Sequence, residues 1–380
     1  MKILVYCQHV LGMGHFFRTL EILKALKGHD IILVTGGKAL PAVIPAYIRK
    51  VSLPGLMMDK AFSGLYSPVP GKNVNQIKGL RKKALMELVQ AEQPDVFVVE
   101  LYPFGRKAFS FELEPVLERL AKRSGCRVVC SVRDLLVEKK DTAAYEARVV
   151  DRLNRYFNLV LIHSDPNLIC LDQTFSRLDA IRIPIAYTGF VTPFPDRVRA
   201  HAIRKKLLKG DADTLIVAGA GSGSVGQRLL RAAAAASPRL DSGSKTILVT
   251  GPYMEKEIRK ELANQSSTAL RVFRFFQHFV DLLAAADLVL SMGGYNTLMN
   301  CLAAQTPCLA LPFDQNREQG LRIRSLGTSL GIQRLGPRDL SPDRLARRIK
   351  KMLAHPHTQG NRPDLDGAAR AARMILGDLS

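Results

Sequence analysis

The sequence predicts an α/β protein made of two successive parallel-sheet domains. Three observations lead there. Short apolar runs alternate with helix-like segments along most of the chain. The alternation pauses in an aperiodic stretch at 187–197, YTGFVTPFPDR, and then begins again. A length of 380 residues suits two domains or one large one. The expected boundaries are 1–190 for the first domain and 196–380 for the second.

In the first series, KILVYC (2–7) reads as a strand and 15–27 as a helix with apolar positions at helical spacing. IILVT (31–35), DVFVVE (95–100), RVVCSV (127–132) and LVLIHS (159–164) read as buried strands. A polar stretch rich in Pro and Gly covers 52–77, and a basic helix starts near Leu80. The second series runs through TLIVAGAG (214–221), KTILVTG (245–251), LRVFRF (270–275), ADLVLSMGG (286–294) and PCLALPF (307–313). A last helix is expected from Gly367 to Leu379. Such alternation implies βαβ units with ligands bound beyond the carboxyl ends of the strands.

Composition narrows the function. Apolar residues make up 47% and charged residues 23%, which excludes disordered, collagen-like and coiled-coil chains. The formal net charge of +21 is shared by both halves, so it belongs to the body of each domain and not to a tail. It favours polyanions: nucleic acid, an anionic membrane face or phosphorylated ligands. The absence of Trp and an aromatic content of 7% argue against a base-stacking nucleic-acid platform. Runs such as Arg81-Lys82-Lys83 come with no nucleic-acid motif and read as solvated helix faces. The six cysteines make no CxxC pair, which fits reduced thiols in a cytoplasmic protein and no metal site. No secretory signal and no run of 18 apolar residues is present.

Four junctions between strand and helix carry glycine. They are Gly12-Met13-Gly14-His15, Gly219 to Gly226, Thr250-Gly251-Pro252 and Ser291 to Thr297. Glycine lets backbone approach a ligand, and the free N–H groups of the next helix suit a phosphate. The second junction holds Gly221-x-Gly223-x-x-Gly226, formally a dinucleotide fingerprint, but lacks the ribose-binding acid and the GK[ST] of a Walker loop. Tight helix–strand packing is the plain alternative there, and simple N-capping is the alternative at the fourth junction. His15 stands at the expected start of the first helix, where the helix dipole keeps an imidazole neutral and able to accept a proton. The plain alternative is a capping or core histidine. Asp211-Ala212-Asp213 matches DxD formally but reads as a polar turn.

These residues resemble the GT-B glycosyltransferases, specifically the MurG-like group with a family 28 type C-terminal domain and its predicted bacterial branch. GMGHFFR resembles the glycine loop that ends in His, and VAGAGSGSVG resembles the loop that opens the second domain. DLVLSMGGYNTLMNCLAAQTPCLALPFDQNREQ (287–319) resembles the nucleotide-sugar segment, and 275–280 the stretch that contacts the base.

The resemblance implies two Rossmann-like domains facing a central cleft, with a C-terminal helix able to pack back on the N-domain. It implies donor contacts from Gly221, Ser222, Gly223, Gly251 and Phe276. It places Gly293, Gly294, Asn296 and Thr297 on the diphosphate and Gln319 on the donor sugar. Asn300 replaces the usual ribose-binding Glu, so one charge-assisted pair is lost. ELYPFGRKAF (100–109) and CSVRDLLVEK (130–139) resemble the predicted branch. With Gly12 and Gly14, Arg106 and Arg133 are then acceptor-binding candidates. His15 is the candidate base, with Glu100 and Asp134 as rivals; for the charged residues a structural ion-pair network is the alternative.

The implied activity is transfer of a sugar from a nucleoside diphosphate sugar, a UDP-sugar by resemblance, to an acceptor hydroxyl. Inversion, no metal and no cofactor are expected, since the nucleotide-sugar is a substrate. The acceptor is unidentified; a lipid-linked one would account for the surplus positive charge through contact with the inner membrane face. A nucleotide-sugar hydrolase or epimerase of the same fold is the second reading. A basic nucleic-acid-binding protein is the third.

Overall fold

The computed structural model describes residues 1–8, 13–37, 42–58, 64–68, 70–139, 141–208, 212–313, 317–327, 330–355 and 362–378. The chain divides into two compact units. One comprises Met1–Val191 and the segment from Asp364 onward, the other Thr192–Pro363.

The first unit begins with β1 (Lys2–Tyr6), α1 (Gly14–Ala25), β2 (Asp30–Thr35) and β3 (Ile48–Ser52). It continues with β4 (Met57–Met58), β5 (Leu65–Tyr66), α2 (Val74–Glu92), β6 (Val96–Glu100), α3 (Ser110–Ala121), β7 (Arg127–Arg133), α4 (Thr142–Tyr156), β8 (Leu159–His163) and β9 (Ile185–Tyr187). Seven strands form a parallel sheet in the order β3-β2-β1-β6-β7-β8-β9, and β4 with β5 forms a small antiparallel pair. The central strands are apolar on both faces, as strands covered by helices on each side must be. β3 reads IRKVS with only Ile48 buried. Its charges mark an edge strand and hide it from an apolar-run reading. α2 starts at Val74, earlier than expected, because Asn73 and Gln76 form a capping box.

A buried ion pair joins three of these elements. Arg81 donates to both oxygens of Glu112, at 2.8 and 2.5 Å, and to the Pro54 carbonyl at 2.7 Å. The Tyr6 hydroxyl also donates to Glu112. This bidentate geometry satisfies a charge pair that would otherwise be costly to bury.

The second unit contains α5 (Arg197–Leu207), β10 (Thr214–Gly219), α6 (Gln227–Ala236), β11 (Ser244–Val249), α7 (Lys256–Ala263), β12 (Leu270–Phe273) and α8 (Phe279–Ala285). Then come β13 (Leu288–Met292), α9 (Tyr295–Ala304), β14 (Cys308–Leu311), α10 (Arg317–Leu326), β15 (Ile332–Arg334) and α11 (Pro342–Ala354). Its sheet is also parallel, in the order β12-β11-β10-β13-β14-β15. Both orders double back beside the first strand, as in doubly wound folds.

The expected second domain over 196–380 is corrected at its end. The final helix, α12 (Gly367–Leu376), belongs to the first unit. Ala371, Ala372, Met374 and Ile375 bury against the cluster that holds Phe16, Leu20 and Leu23 of α1. Met374 and Ile375 alone contribute on the order of 1.5–3 kcal/mol each by burial. Polar ties add direction: the Asp364 N–H donates to Asp165 at 3.0 Å, and Arg127 donates to the Met374 carbonyl at 2.9 Å. Among the described residues, no helix is long and apolar enough to cross a membrane.

Candidate active site

In the first unit, the parallel register gathers polar residues at the carboxyl ends of the strands. Glu100 ends β6 beside Ser131 of β7, and Arg133 of β7 lies beside His163 of β8. His15 and Arg18 sit three residues apart on α1, hence on one helix face. They converge on Glu100. One carboxylate oxygen, Oε1, is 2.5 Å from His15 Nδ1 and 2.6 Å from Arg18 Nη2. The other, Oε2, is 3.7 Å from Arg106 Nη2. Arg106 occupies the left-handed region, at φ 59°.

The electrostatics assign roles. Burial acts to raise the Glu100 pKa, but His15, Arg106 and Arg18 together outweigh it and hold the carboxyl at about 2. Glu100 is therefore an anion that only accepts hydrogen bonds. Burial pulls the His15 pKa down to about 4, with Glu100 opposing and Arg106 and Arg18 assisting. A neutral imidazole facing a carboxylate must carry its proton on Nδ1. Nε2 then holds the lone pair, and it makes no hydrogen bond among the described residues. His15 keeps 21% of its side-chain exposure, whereas Glu100 keeps 1%. His15 and Glu100 thus form a hydrogen-bonded pair, with His15 outward and Glu100 behind it. The capping alternative does not hold for His15, because the N-cap is Met13 and no side chain caps the helix.

Other candidates of this unit lie as follows. Asp134 is fully buried, with its carboxylate accepting the Leu135 N–H at 2.7 Å. Arg133 donates to the Leu135 carbonyl at 3.0 Å. Gly14 opens α1, and Gly12 lies outside the described residues. His163, quoted in sequence only as part of a strand, is buried between Ser131 at 2.7 Å and Thr188 at 3.0 Å. Burial lowers its pKa to about 3, helped by Arg18.

In the second unit, the glycines divide into two kinds. Gly223 and Gly251 are required by the fold. Each has φ near +90°, and an added Cβ would strike backbone of the facing loop at 2.5 Å or closer. The loops after β10 and β11 interlock there, with the Tyr253 N–H donating to the Ser222 carbonyl at 2.8 Å. Gly293 is also a packing glycine, since its Cβ would meet Ile323 at 2.8 Å and Gln319 at 3.1 Å.

Gly294 is different. It precedes α9 in an ordinary extended conformation, φ −71° and ψ 141°, and a Cβ there would meet nothing within 4 Å among the described residues. Its N–H makes no hydrogen bond among the described residues. Neither backbone strain nor packing calls for glycine at this position. Gly221 also faces open space, although its φ of +61° favours glycine. Asn296 and Thr297 follow on the first turn of α9, half-buried.

Asn300 spends its carbonyl oxygen on the Thr192 hydroxyl at 2.9 Å. Gln319 spends its own on the Phe313 N–H at 2.9 Å. Each amide therefore offers a ligand its NH2 donors first. Phe276 packs edge-on against Phe273 with ring centroids 5.7 Å apart. Asp211 of the DxD match lies outside the described residues. Among the described residues, no group of three or more His, Cys, Asp or Glu is placed to hold a metal ion.

Comparison with known proteins fits this layout. Residues 214–374 match the glycosyltransferase family 28 C-terminal domain. An uncharacterized glycosyltransferase of Methanopyrus kandleri is 26% identical over 288 residues, which cover 69% of this chain and 78% of that protein. The chain is a glycosyltransferase with a family 28 type C-terminal domain. A second uncharacterized glycosyltransferase, from Methanosarcina mazei, is 30% identical over 80 residues, 21% of this chain and 20% of that one.

Among solved structures, the calicheamicin glycosyltransferase CalG4 aligns with a TM-score of 0.58 at 16% identity, covering 99% of this chain and 94% of that one. Acinetobacter baumannii MurG aligns over the whole of both chains with a TM-score of 0.56 at 12% identity. These two share the fold of this glycosyltransferase.

Proposed function

We propose that this glycosyltransferase moves a sugar from a nucleoside diphosphate sugar, a UDP-sugar, to an acceptor hydroxyl by a metal-independent, inverting displacement. Gly294 is the observation that carries the reading: room and a free N–H are kept at a helix start where the fold itself needs no glycine. A diphosphate oxygen fits that opening, and the α9 dipole favours its charge.

The acceptor chemistry falls to His15. Its Nε2 takes the proton of the attacking hydroxyl as the new bond forms to the anomeric carbon. The bond between that carbon and the phosphate oxygen breaks, and its electron pair leaves with the nucleoside diphosphate. Glu100, already ionised, stabilises the imidazolium as it forms, and Arg18 holds Glu100 in place. Helix N-termini supply positive potential where the leaving diphosphate gains charge.

Contact with an anionic membrane surface is part of the same proposal. The surplus charge supports it, as do the exposed Lys82 and Lys83 beside the exposed Leu80 on α2. Flotation with liposomes should require anionic lipid; equal flotation without it sets this part aside. The catalytic part is tested with labelled UDP-sugars. His15→Ala should bind UDP as wild type does and lose most turnover. Turnover like that of wild type removes His15 from the mechanism.

A further inference from the structure

We propose that Arg322 is a positioning residue for the donor diphosphate, acting through the Gly293–Gly294 peptide. The inference rests on the donor reading above. Arg322 projects from α10 and is fully buried. Its Nη1 donates to the Gly293 carbonyl at 3.0 Å, and its guanidinium lies 5.9 Å from the centre of the Tyr295 ring. A trans peptide points its C=O and N–H in opposite directions. Holding the Gly293 oxygen back toward α10 therefore aims the Gly294 N–H away from α10, and that N–H is the unbonded one.

Two neighbours hold the same peptide. Ile323 and Gln319 lie so close to Gly293 that no Cβ fits between, and Gln319 accepts the Phe313 N–H that follows β14. The Gly293 N–H is itself fixed to the Leu311 carbonyl at 3.0 Å. Helix α10 thus fixes the aim of the donor loop, and Arg322 supplies the charged bond in that clamp. In sequence it is one basic residue in a basic helix, and nothing separates it from Arg317 or Arg324.

The test is UDP titration calorimetry on the full chain, with donor KM and kcat measured beside it. Arg322→Met should weaken UDP binding by about 10- to 100-fold, the range for losing a charged hydrogen bond. It should raise donor KM more than it lowers kcat and leave acceptor KM unchanged. Arg322→Lys keeps the cation without the planar fork, so it should recover part of the affinity, ending about 3- to 10-fold weaker than wild type.

Gly294→Val separates the two readings. If it abolishes UDP binding while Arg322→Met binds within twofold of wild type, the positioning role is wrong and the donor reading stands. If both variants bind as wild type does, the donor reading itself fails. Where Arg322→Met does not fold, Arg322→Lys decides, and UDP affinity within twofold of wild type overturns the proposal. So does a loss of affinity that only follows the folded fraction.

Discussion

Glu100→Gln changes one oxygen to an amide and removes the carboxylate charge that His15, Arg18 and Arg106 share. Two consequences can be sized. The first concerns stability: the ion pair of Arg18 with Glu100 is buried, at 2% and 1% side-chain exposure, and breaking a buried pair from one side costs about 3–5 kcal/mol. Glutamine still offers an oxygen, so the lower end applies.

The second consequence concerns rate. Under the proposed mechanism His15 becomes an imidazolium in the transition state, 2.5 Å, nitrogen to oxygen, from the carboxylate. Unit charges about 4 Å apart attract by about 4 kcal/mol at an effective dielectric of ~20. At 1.36 kcal/mol per decade this is a loss of roughly 10³ in kcat. The pH profile supplies the sign. Glu100 raises the His15 pKa against burial, so its removal moves the midpoint down from about 4. His15 is deprotonated at pH 7 in both proteins, so the loss at neutral pH cannot come from titration. The assay is initial rates from pH 4 to 8, with circular dichroism and urea unfolding run on the same samples. A folded Glu100→Gln enzyme with kcat within threefold of wild type refutes the pairing as a catalytic device.

Arg81→Met should cost about 3–5 kcal/mol in urea unfolding, because it strands a buried Glu112; Arg81→Met with Glu112→Leu should recover much of the loss. Equal stability of the single variant and wild type would show that the pair contributes nothing. Stability should also fall on acidification below about pH 6.5. His163 stays neutral when folded down to about 3, so the unfolded chain takes the proton first, and the loss accumulates as pH drops from 6.5 toward 3. Its full extent is on the order of 5 kcal/mol, and His15 adds to it in a window ending near pH 4. His163→Gln should flatten this acid limb; an unchanged slope assigns it elsewhere.

The fold was legible because its central strands are buried on both faces and stand out as apolar runs. β3 did not stand out, since an edge strand carries Arg49 and Lys50 outward, and β9 and β15 are only three residues long. The last helix could be read as a helix, and its address only as an option. That address depends on which apolar surface α12 covers, and the surface is α1, hundreds of residues earlier.

The site was legible in residue type and not in geometry. His15, Glu100 and Arg106 could each be named, but their meeting depends on the β1–β6 neighbourhood, which no local spacing encodes. The glycines show the same limit. Gly293 and Gly294 are adjacent and identical in sequence, yet among the described residues one is required by α10 and the other by none. His163 and Arg322 were missed because a histidine in a strand and an arginine in a basic helix look ordinary until burial is known.

The central claim is that the start of α9 holds the diphosphate of a nucleotide sugar. Calorimetric titration of UDP into wild type and Gly294→Val tests it most directly, because a valine Cβ at 294 meets no atom of the described residues beyond its chain neighbours within 4 Å. The variant should show an unchanged unfolding transition and no measurable UDP binding. A Gly294→Val protein that binds UDP as wild type does would contradict it.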